Sequence, residues 1–252
     1  MALHILFLQI CVGILALPIH ILAFLGLWSS IAKKALPYLL EKMTKSINTR
    51  MGEQKRYLFS HLKDFKPPSG ELRVLEIGCG TGANFQFYPP GCKVTLVDPN
   101  PNFKKFLSKS LSENEHVKFN SFLVASGEDM SQVASGSQDV VICTLVLCSV
   151  HSIDKVLAEV KRVLRPHAVH WEMHAGGFFF LEHVRGDPSS WLYFFQQILD
   201  PTWIYIGDGC RLTHETWKNL ENANFSEVKL RHIKAPFKWS PVQSHIIGYA
   251  VK

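Results

Sequence analysis

No charged side chain occurs in residues 1–32, although the 252-residue chain carries 27 Lys and Arg against 21 Asp and Glu. The low charged content, 19%, therefore reflects one uncharged terminal stretch rather than a uniformly apolar protein. CxxC spacings are also missing. Cys11, Cys79, Cys92, Cys143, Cys148 and Cys210 are scattered, with no Cys/His set at ligand spacing. This excludes a disulfide framework and gives no reason to expect a metal; the cysteines read as reduced thiols in a cytosol-facing protein. There is no internal repeat and no low-complexity stretch. The basic residues form no run, so the net charge of +6 is not the footprint of a nucleic-acid partner, and none is expected.

What the N-terminus does have is the run ALHILFLQICVGILALPIHILAFLGLW, Ala2 to Trp28, in which only His4, Gln9 and His20 are strongly polar. About 20 apolar residues suffice to cross a ~30 Å hydrocarbon core. A cleaved signal peptide would begin with positive charge and end at a small-x-small site, and neither is present. A buried core helix is disfavoured by a run that is apolar on every face. Residues 1–32 are thus expected to be an uncleaved membrane anchor, with Pro18 allowing either a kinked span or a re-entrant hairpin. Lys33, Lys34, Lys42 and Lys45 follow it, which places the remaining chain on the cytosolic side and suits membrane lipids as partners. Residues 33–70 are expected to form an amphipathic juxtamembrane helix, lying on the headgroups or solvated as a linker, and Lys66-Pro67-Pro68-Ser69-Gly70 is the best boundary before a domain at 71–252.

Beyond that boundary strands alternate with helices. Leu72–Ile77, Lys93–Val97, Val117–Val124, Gln138–Leu147 and Gly177–Val184 read as strands, Phe103–Ser112 and Ile153–Leu164 as helices. A helix near Thr213–Ala223, with Thr213 as its N-cap, precedes a closing antiparallel pair, Val228–Ile233 and His245–Val251. The expected fold is α/β, Rossmann-like, with a mostly parallel seven-stranded sheet, a terminal antiparallel hairpin and an N-terminal hydrophobic helix.

The decisive stretch is Leu75-Glu76-Ile77-Gly78-Cys79-Gly80-Thr81-Gly82, followed by Val97-Asp98-Pro99. Glycines after a first strand let the backbone approach a ligand, and an acid ending the second strand can accept both hydroxyls of a ribose. Any adenosine cofactor satisfies that logic, but the acid-x-Gly-x-Gly-x-Gly spacing differs from the dinucleotide GxGxxG and shows no pyrophosphate grip.

At these residues the chain resembles the class I S-adenosylmethionine-dependent methyltransferases from about Leu72 to the C-terminus. The resemblance implies S-adenosyl-L-methionine as cofactor, Gly78 and Gly80 around its methionine portion, Glu76 beside its amino group and Asp98 on its ribose. It also places Gly127 and Glu128 at the adenine, in a stretch Ser126-Gly127-Glu128-Asp129 where Ser126 replaces the acid many relatives carry. More specifically, GCGTGANFQFYPPGC (78–92), DPNPNF (98–103), CTLVLCSV (143–150), FFLEHV (179–184), FQQILDPTW (195–203) and IGDGC (206–210) are similar to the membrane-anchored alkyl thiol methyltransferases of the methyltransferase-like seven subgroup. That likeness implies methylation of small lipophilic thiols at the endoplasmic reticulum membrane and lipid droplet. Rival readings are a lipid or quinone methyltransferase on the same fold, and a non-catalytic membrane adaptor.

Methyl transfer from a sulfonium asks the protein for alignment and a thiol ready to lose its proton. His183, after the fifth strand, is the candidate base, with His151 as the other; Cys148 either lines the pocket or is a buried structural thiol. Trp191, Tyr193, Phe194, Phe195, Trp203 and Tyr205 suit an apolar substrate cover or ordinary core. One departure from the family is the stretch His167 to Ala175, inserted where relatives turn directly into the fifth strand. Its His167, His170 and His174 read as a surface loop rather than a metal site, lying either at the active-site end of the sheet or at its opposite edge.

Overall fold

Short runs of apolar residues buried on both faces suit parallel strands covered by helices, and most of the catalytic sheet is built that way. The computed structural model describes residues 2–67, 70–166, 175–237 and 240–252. Its sheet contains β1 (Arg73–Ile77), β2 (Lys93–Val97), β3 (Lys118–Leu123), β4 (Val140–Thr144), β5 (Gly177–His183), β6 (Glu227–Lys234) and β7 (Ser244–Val251). The strand order is β3-β2-β1-β4-β5-β7-β6. The first five are parallel, and β7 runs antiparallel between β5 and β6. The order reverses beside β1, so the carboxyl ends of β1, β2 and β4 open a crevice, with Ile77 paired to Val97 on one side and Cys143 on the other.

Each face of the sheet has its own core. Val74, Leu96, Ile142, Phe179 and Leu181 point to one face, while Leu75, Val97, Val141, Phe178 and Phe180 point to the other. The second face is closed by α5 (Ile153–Val163), whose Val156, Leu157, Val160 and Val163 are buried as their 3.6-residue spacing requires. Ser152 caps it by accepting from the Lys155 N–H.

The first face is closed by a helix from beyond the expected boundary. Residues 27–60 form one continuous helix, α3 (Leu27–Ser60), and Met51, Leu58 and Phe59 join Leu62 and Phe65 in the same core as β1 and β5. The stretch anticipated as a juxtamembrane helix and linker therefore contributes these residues to the core of the sheet. Nothing in the local pattern marks this, because the buried positions of α3 become apolar only in its last turns.

Other local departures have physical causes. The fourth strand ends at Thr144 rather than Leu147, because the buried Glu182 carboxylate accepts the N–H groups of Val146 and Leu147 (2.9 and 3.0 Å) and turns the chain at Leu145, φ 60°. Thr213 is not an N-cap: α7 spans Thr216–Asn222, and Glu215 precedes it without a side-chain capping bond, its carboxylate going to Arg185 and Lys218. The aromatic stretch after β5 is itself a helix, α6 (Trp191–Ile206), capped by Ser190. Its apolar residues lie on nearly every face and Pro201 sits inside it, so it lacks a helical signature. α4 (Lys104–Glu113) starts close to its expected position.

The N-terminal run divides into α1 (Ala2–Leu15) and α2 (Leu17–Phe24), bent by 76°. No single helix among the described residues is long and apolar enough to cross a membrane, though this bent pair meets that test together. α1 lies along α6. Gln9 Nε2 donates to the Gln197 carbonyl at 2.9 Å, the acceptor that Pro201, lacking an N–H, leaves vacant. His20 reaches Thr202 (3.4 Å), and Trp28 Nε1 donates to the Tyr205 carbonyl (2.8 Å) at the end of α6.

His167, His170 and His174 lie outside the described residues. The flanking Pro166 and Ala175 adjoin the amino end of β5, opposite His183, and β5 pairs with β4 from Gly177 to Leu181 and with β7 throughout its length. The fifth strand is thus in register despite the inserted residues. Because α3 completes the core, Leu58→Ala should cost about 2–5 kcal/mol, as deletion of a buried leucine does. Denaturant unfolding checks this, and a loss under about 0.5 kcal/mol, the usual size of a surface change, would show that the helix is only a tether.

Candidate functional site

The crevice is shaped first by backbone that only glycine tolerates. Gly78 and Gly80 have φ of 63° and 51°. A Cβ on Gly78 would lie 2.2 Å from Val146 Cγ2, so the loop presses directly on the turn after β4. Around Gly80 a Cβ would meet nothing nearer than Leu40 at 3.9 Å, which leaves that backbone facing open space beneath α3.

Asp98 ends β2 and is buried. It accepts from Gly80 N–H (3.1 Å) through Oδ2 and from Asn100 N–H (2.9 Å) through Oδ1, which fixes its plane beside the glycine loop. Burial pushes its carboxyl up to about 6, against these two donors and with a small further rise from Asp208. Each oxygen keeps a lone pair for another donor, which is what a vicinal diol requires.

Glu76, near the carboxyl end of β1, is held on both carboxylate oxygens. Its Oε1 accepts from Asn84 Nδ2 and its Oε2 from the Tyr88 hydroxyl, both at 2.7 Å, and burial raises it to about 7. Glu76 thus shapes the crevice by holding Asn84 and Tyr88. Asn84 also donates to Thr144 Oγ1 (3.0 Å), tying β1 to β4, and its own Oδ1 is buried with no partner among the described residues. That orphaned acceptor, the glycine cradle and the free lone pairs of Asp98 fit the ammonium and ribose of an adenosyl amino-acid cofactor.

α3 roofs the loop. Thr44 Oγ1 is 3.1 Å from Thr81 Oγ1, and Asn48 Nδ2 donates to the Ala83 carbonyl (2.7 Å). Lys55 Nζ donates to Asn48 Oδ1 (2.8 Å), and its burial lowers it to about 8 against the attraction of Glu76. Further up, Pro37 has no N–H for the Lys33 carbonyl, which instead accepts from Asn100 Nδ2 (2.8 Å) and Asn102 Nδ2 (3.3 Å).

In the stretch that the resemblance sets at the adenine, Gly127 is needed because a Cβ would stand 2.8 Å from Ile77 Cγ2. The Glu128 carboxylate accepts the Ser152 N–H at the start of α5 and lies 3.9 Å from the exposed His151. Glu128 thus anchors the start of α5 through Oε1 while its Oε2 lies beside Ser126 Oγ and His151, and Gly127 offers a close backbone surface.

His183 is buried at the end of β5 with both ring nitrogens engaged, Nε2 facing Gln196 Nε2 (3.4 Å) and Nδ1 facing Cys210 Sγ (3.8 Å). It offers no free nitrogen as a base for a substrate proton. Cys148 joins this group, so the fold assembles Cys148, His183 and Cys210 although their spacing in sequence suggested no cluster. Glu182 beside them is buried and raised to about 8 by desolvation, with Oε1 unpartnered. Asp208, φ 50°, is exposed in the turn after α6; partial desolvation raises it and Lys33 draws it back. Asn84, Tyr88, Glu182 and Asp208 escaped sequence reasoning, although all four lie within or beside the resemblance stretches.

The family description Methyltransferase domain matches residues 75–171. Thiol S-methyltransferase TMT1A of Homo sapiens is 58% identical over 231 residues, covering 92% of this chain and 91% of that protein. Thiol S-methyltransferase TMT1B of Homo sapiens is 54% identical over 245 residues, 97% of each chain. Among solved structures, geranyl diphosphate methyltransferase in complex with S-adenosylmethionine superposes with a TM-score of 0.55 at 15% identity, over 79% of this chain and 84% of that one, a likeness of fold alone. S-adenosylmethionine is the methyl donor that the crevice fits. With that cradle intact, and with such identity along nearly the whole chain, the protein belongs to the thiol S-methyltransferase TMT1 family of class I S-adenosylmethionine-dependent methyltransferases.

Proposed function

We propose that the chain methylates the sulfur of small, lipophilic alkyl thiols at the cytosolic face of the endoplasmic reticulum membrane and of lipid droplets. The observation that carries this reading is the packing of α1 on α6, through Gln9 and Gln197, beside a donor cradle roofed by α3. An apolar acceptor arriving along α1 and α6 would reach the crevice without crossing water. α1 is about 21 Å long at 1.5 Å per residue, short of a ~30 Å hydrocarbon core. With α2 bent away from it, the pair suits entry into one leaflet, Lys33 and Lys34 remaining at the headgroups. Leu6, Phe7, Ile10, Ile14, Leu15 and Phe24 are exposed and would be covered by lipid.

When bound, S-adenosylmethionine supplies an electrophilic methyl group. The residues of this chain do the positioning: Asp98 receives the ribose hydroxyls, Gly78 and Gly80 admit the amino-acid portion, and Glu76 keeps Asn84 aimed. A thiol already yields useful thiolate near neutral pH, its ordinary pKa being about 8.5, so the site needs alignment more than a strong base.

Full-length protein in phospholipid nanodiscs should convert a small alkyl thiol to its methyl thioether. Methylation of a quinone precursor but not of the thiol would overturn the assignment. Asp98→Asn should weaken cofactor binding about 10- to 100-fold, the size expected when a hydrogen bond to a charged group is lost, as read by calorimetry. Because the useful form of Asp98 is the carboxylate and burial holds it near 6, affinity should rise as pH increases through about 6 and fall below it. The variant should lose that inflection. Serine at Leu6, Phe7, Ile10 and Ile14 together should reduce partitioning into vesicles at least about tenfold, since each removes roughly 1.5–3 kcal/mol of apolar transfer energy when fully covered. Undiminished flotation with the membrane would remove α1 from the anchor.

A further inference from the structure

Outside the donor cradle, a group of reactive side chains among the described residues is left unused. Cys148 follows the β4 turn, His183 ends β5 and Cys210 follows α6, and their ligand-type atoms all lie within 4.8 Å of one another, buried. The backbones meet there, since Arg211 N–H donates to the Cys148 carbonyl at 2.8 Å.

Gln196 decides the chemistry of this cluster. Its Oε1 accepts the Gly186 N–H (2.7 Å) and its Nε2 donates to the Pro241 carbonyl (2.8 Å), so the amide cannot be turned over. The NH2 end therefore faces His183 Nε2 at 3.4 Å, with the Val184 carbonyl at 3.5 Å the other acceptor in reach, and a ring nitrogen turned toward an NH2 group is placed to accept. The ring proton is then on Nδ1, directed at Cys210 Sγ. A zinc ion held by Nδ1 would need the reverse, a bare Nδ1 and an Nε2–H with an acceptor beyond it. The surroundings favour a sulfur anion on Cys210 over a metal.

The remaining contacts agree. Cys210 is pulled below the usual thiol range, first by the Cys148 thiol, then by His183 and Trp203, while Cys148 is pushed above it. This is the asymmetry of a dithiol with one thiolate and one reserve proton.

We propose that Cys210 and Cys148 form a peroxide-reactive dithiol, Cys210 attacking and Cys148 resolving. The oxidant class is a small hydroperoxide, because Cys210 is only 7% exposed and a bulky disulfide would not reach it. The Cys210 thiolate attacks one peroxide oxygen, the O–O bond breaks, and the departing hydroxide takes a proton from solvent to become water. Cys210 is left as a sulfenic acid. The Cys148 sulfur then attacks the Cys210 sulfur, the S–O bond breaks, and hydroxide leaves with the Cys148 proton as a second water. Two electrons from the dithiol have reduced one peroxide, and a Cys148–Cys210 disulfide remains. The sulfurs need only close from within 4.8 Å to the ~2.05 Å of a disulfide, across backbones already joined.

The test uses reduced full-length protein in detergent, treated with hydrogen peroxide at neutral pH, alkylated and mapped as peptides. The Cys148–Cys210 disulfide should accumulate at least about tenfold faster than oxidation of Cys79, Cys92 or Cys143, whose thiols burial pushes up, and dithiothreitol should reverse it. Cys148→Ser should stop at a sulfenic acid on Cys210 that a 1,3-dione traps. Absence of the disulfide in the wild-type protein, equal oxidation of the other buried cysteines, or one equivalent of zinc bound through Cys148 and Cys210 would each overturn the proposal. The wild-type measurement needs no variant, so a folding defect in Cys148→Ser would leave the decision intact.

Discussion

A carbonyl that a proline has deprived of its partner joins the N-terminal segment to the donor cradle. Pro37 cannot donate to Lys33, and the freed oxygen receives Asn100 and Asn102. Asn100 in turn gives its N–H to Asp98, so the roof helix, the loop after β2 and the ribose acceptor share one chain of hydrogen bonds. An isolated helix would lose stability at such a proline, by about 3 kcal/mol, and recovers it here by docking. The same device recurs at Pro201, whose vacated Gln197 carbonyl binds Gln9 of α1. Prolines thus specify where the terminal helices attach, on the roof and on α6, and they bring the apolar N-terminus alongside the catalytic domain instead of leaving it on a tether.

This attachment explains why the polar residues of an otherwise apolar run fall where they do. Gln9 and His20 point to α6, and Trp28 closes its last turn, while Leu6, Phe7, Ile10 and Ile14 face outward. A helix spanning a bilayer alone would have no use for Gln9. One lying against a protein surface with a vacant carbonyl does.

The readable parts of the site were those whose chemistry is local. Gly78, Gly80 and Asp98 sit on consecutive strand ends, so the spacing of one motif and the end of the next strand suffice to bring them together, and the parallel order follows from alternation of strands and helices. Glu76 was recognised as important, but its role depended on Asn84 and Tyr88, whose approach is set by the turn between β1 and β2. The bond from the Ser152 N–H to Glu128 is not legible in sequence, because it joins two loop residues 24 positions apart. The Cys148, His183 and Cys210 cluster was invisible for the same reason: three segments far apart in sequence converge only when β4, β5 and the α6 turn are in place. α6 was hidden by its own composition, since a helix buried on one side and apolar on the other has no period to detect.

Four acids stand around the crevice, Glu76, Asp98, Glu182 and Asp208, and all are raised chiefly by desolvation. Among the described residues, the cations that act on them are Lys55 on Glu76 and Lys33 on Asp208. Such an arrangement costs stability when every carboxyl is ionised, and it becomes favourable only when a positive charge enters. A sulfonium donor bound here would bring a positive charge to these carboxyl groups, and the thioether left after methyl transfer would not, so the same acids would bear differently on the two.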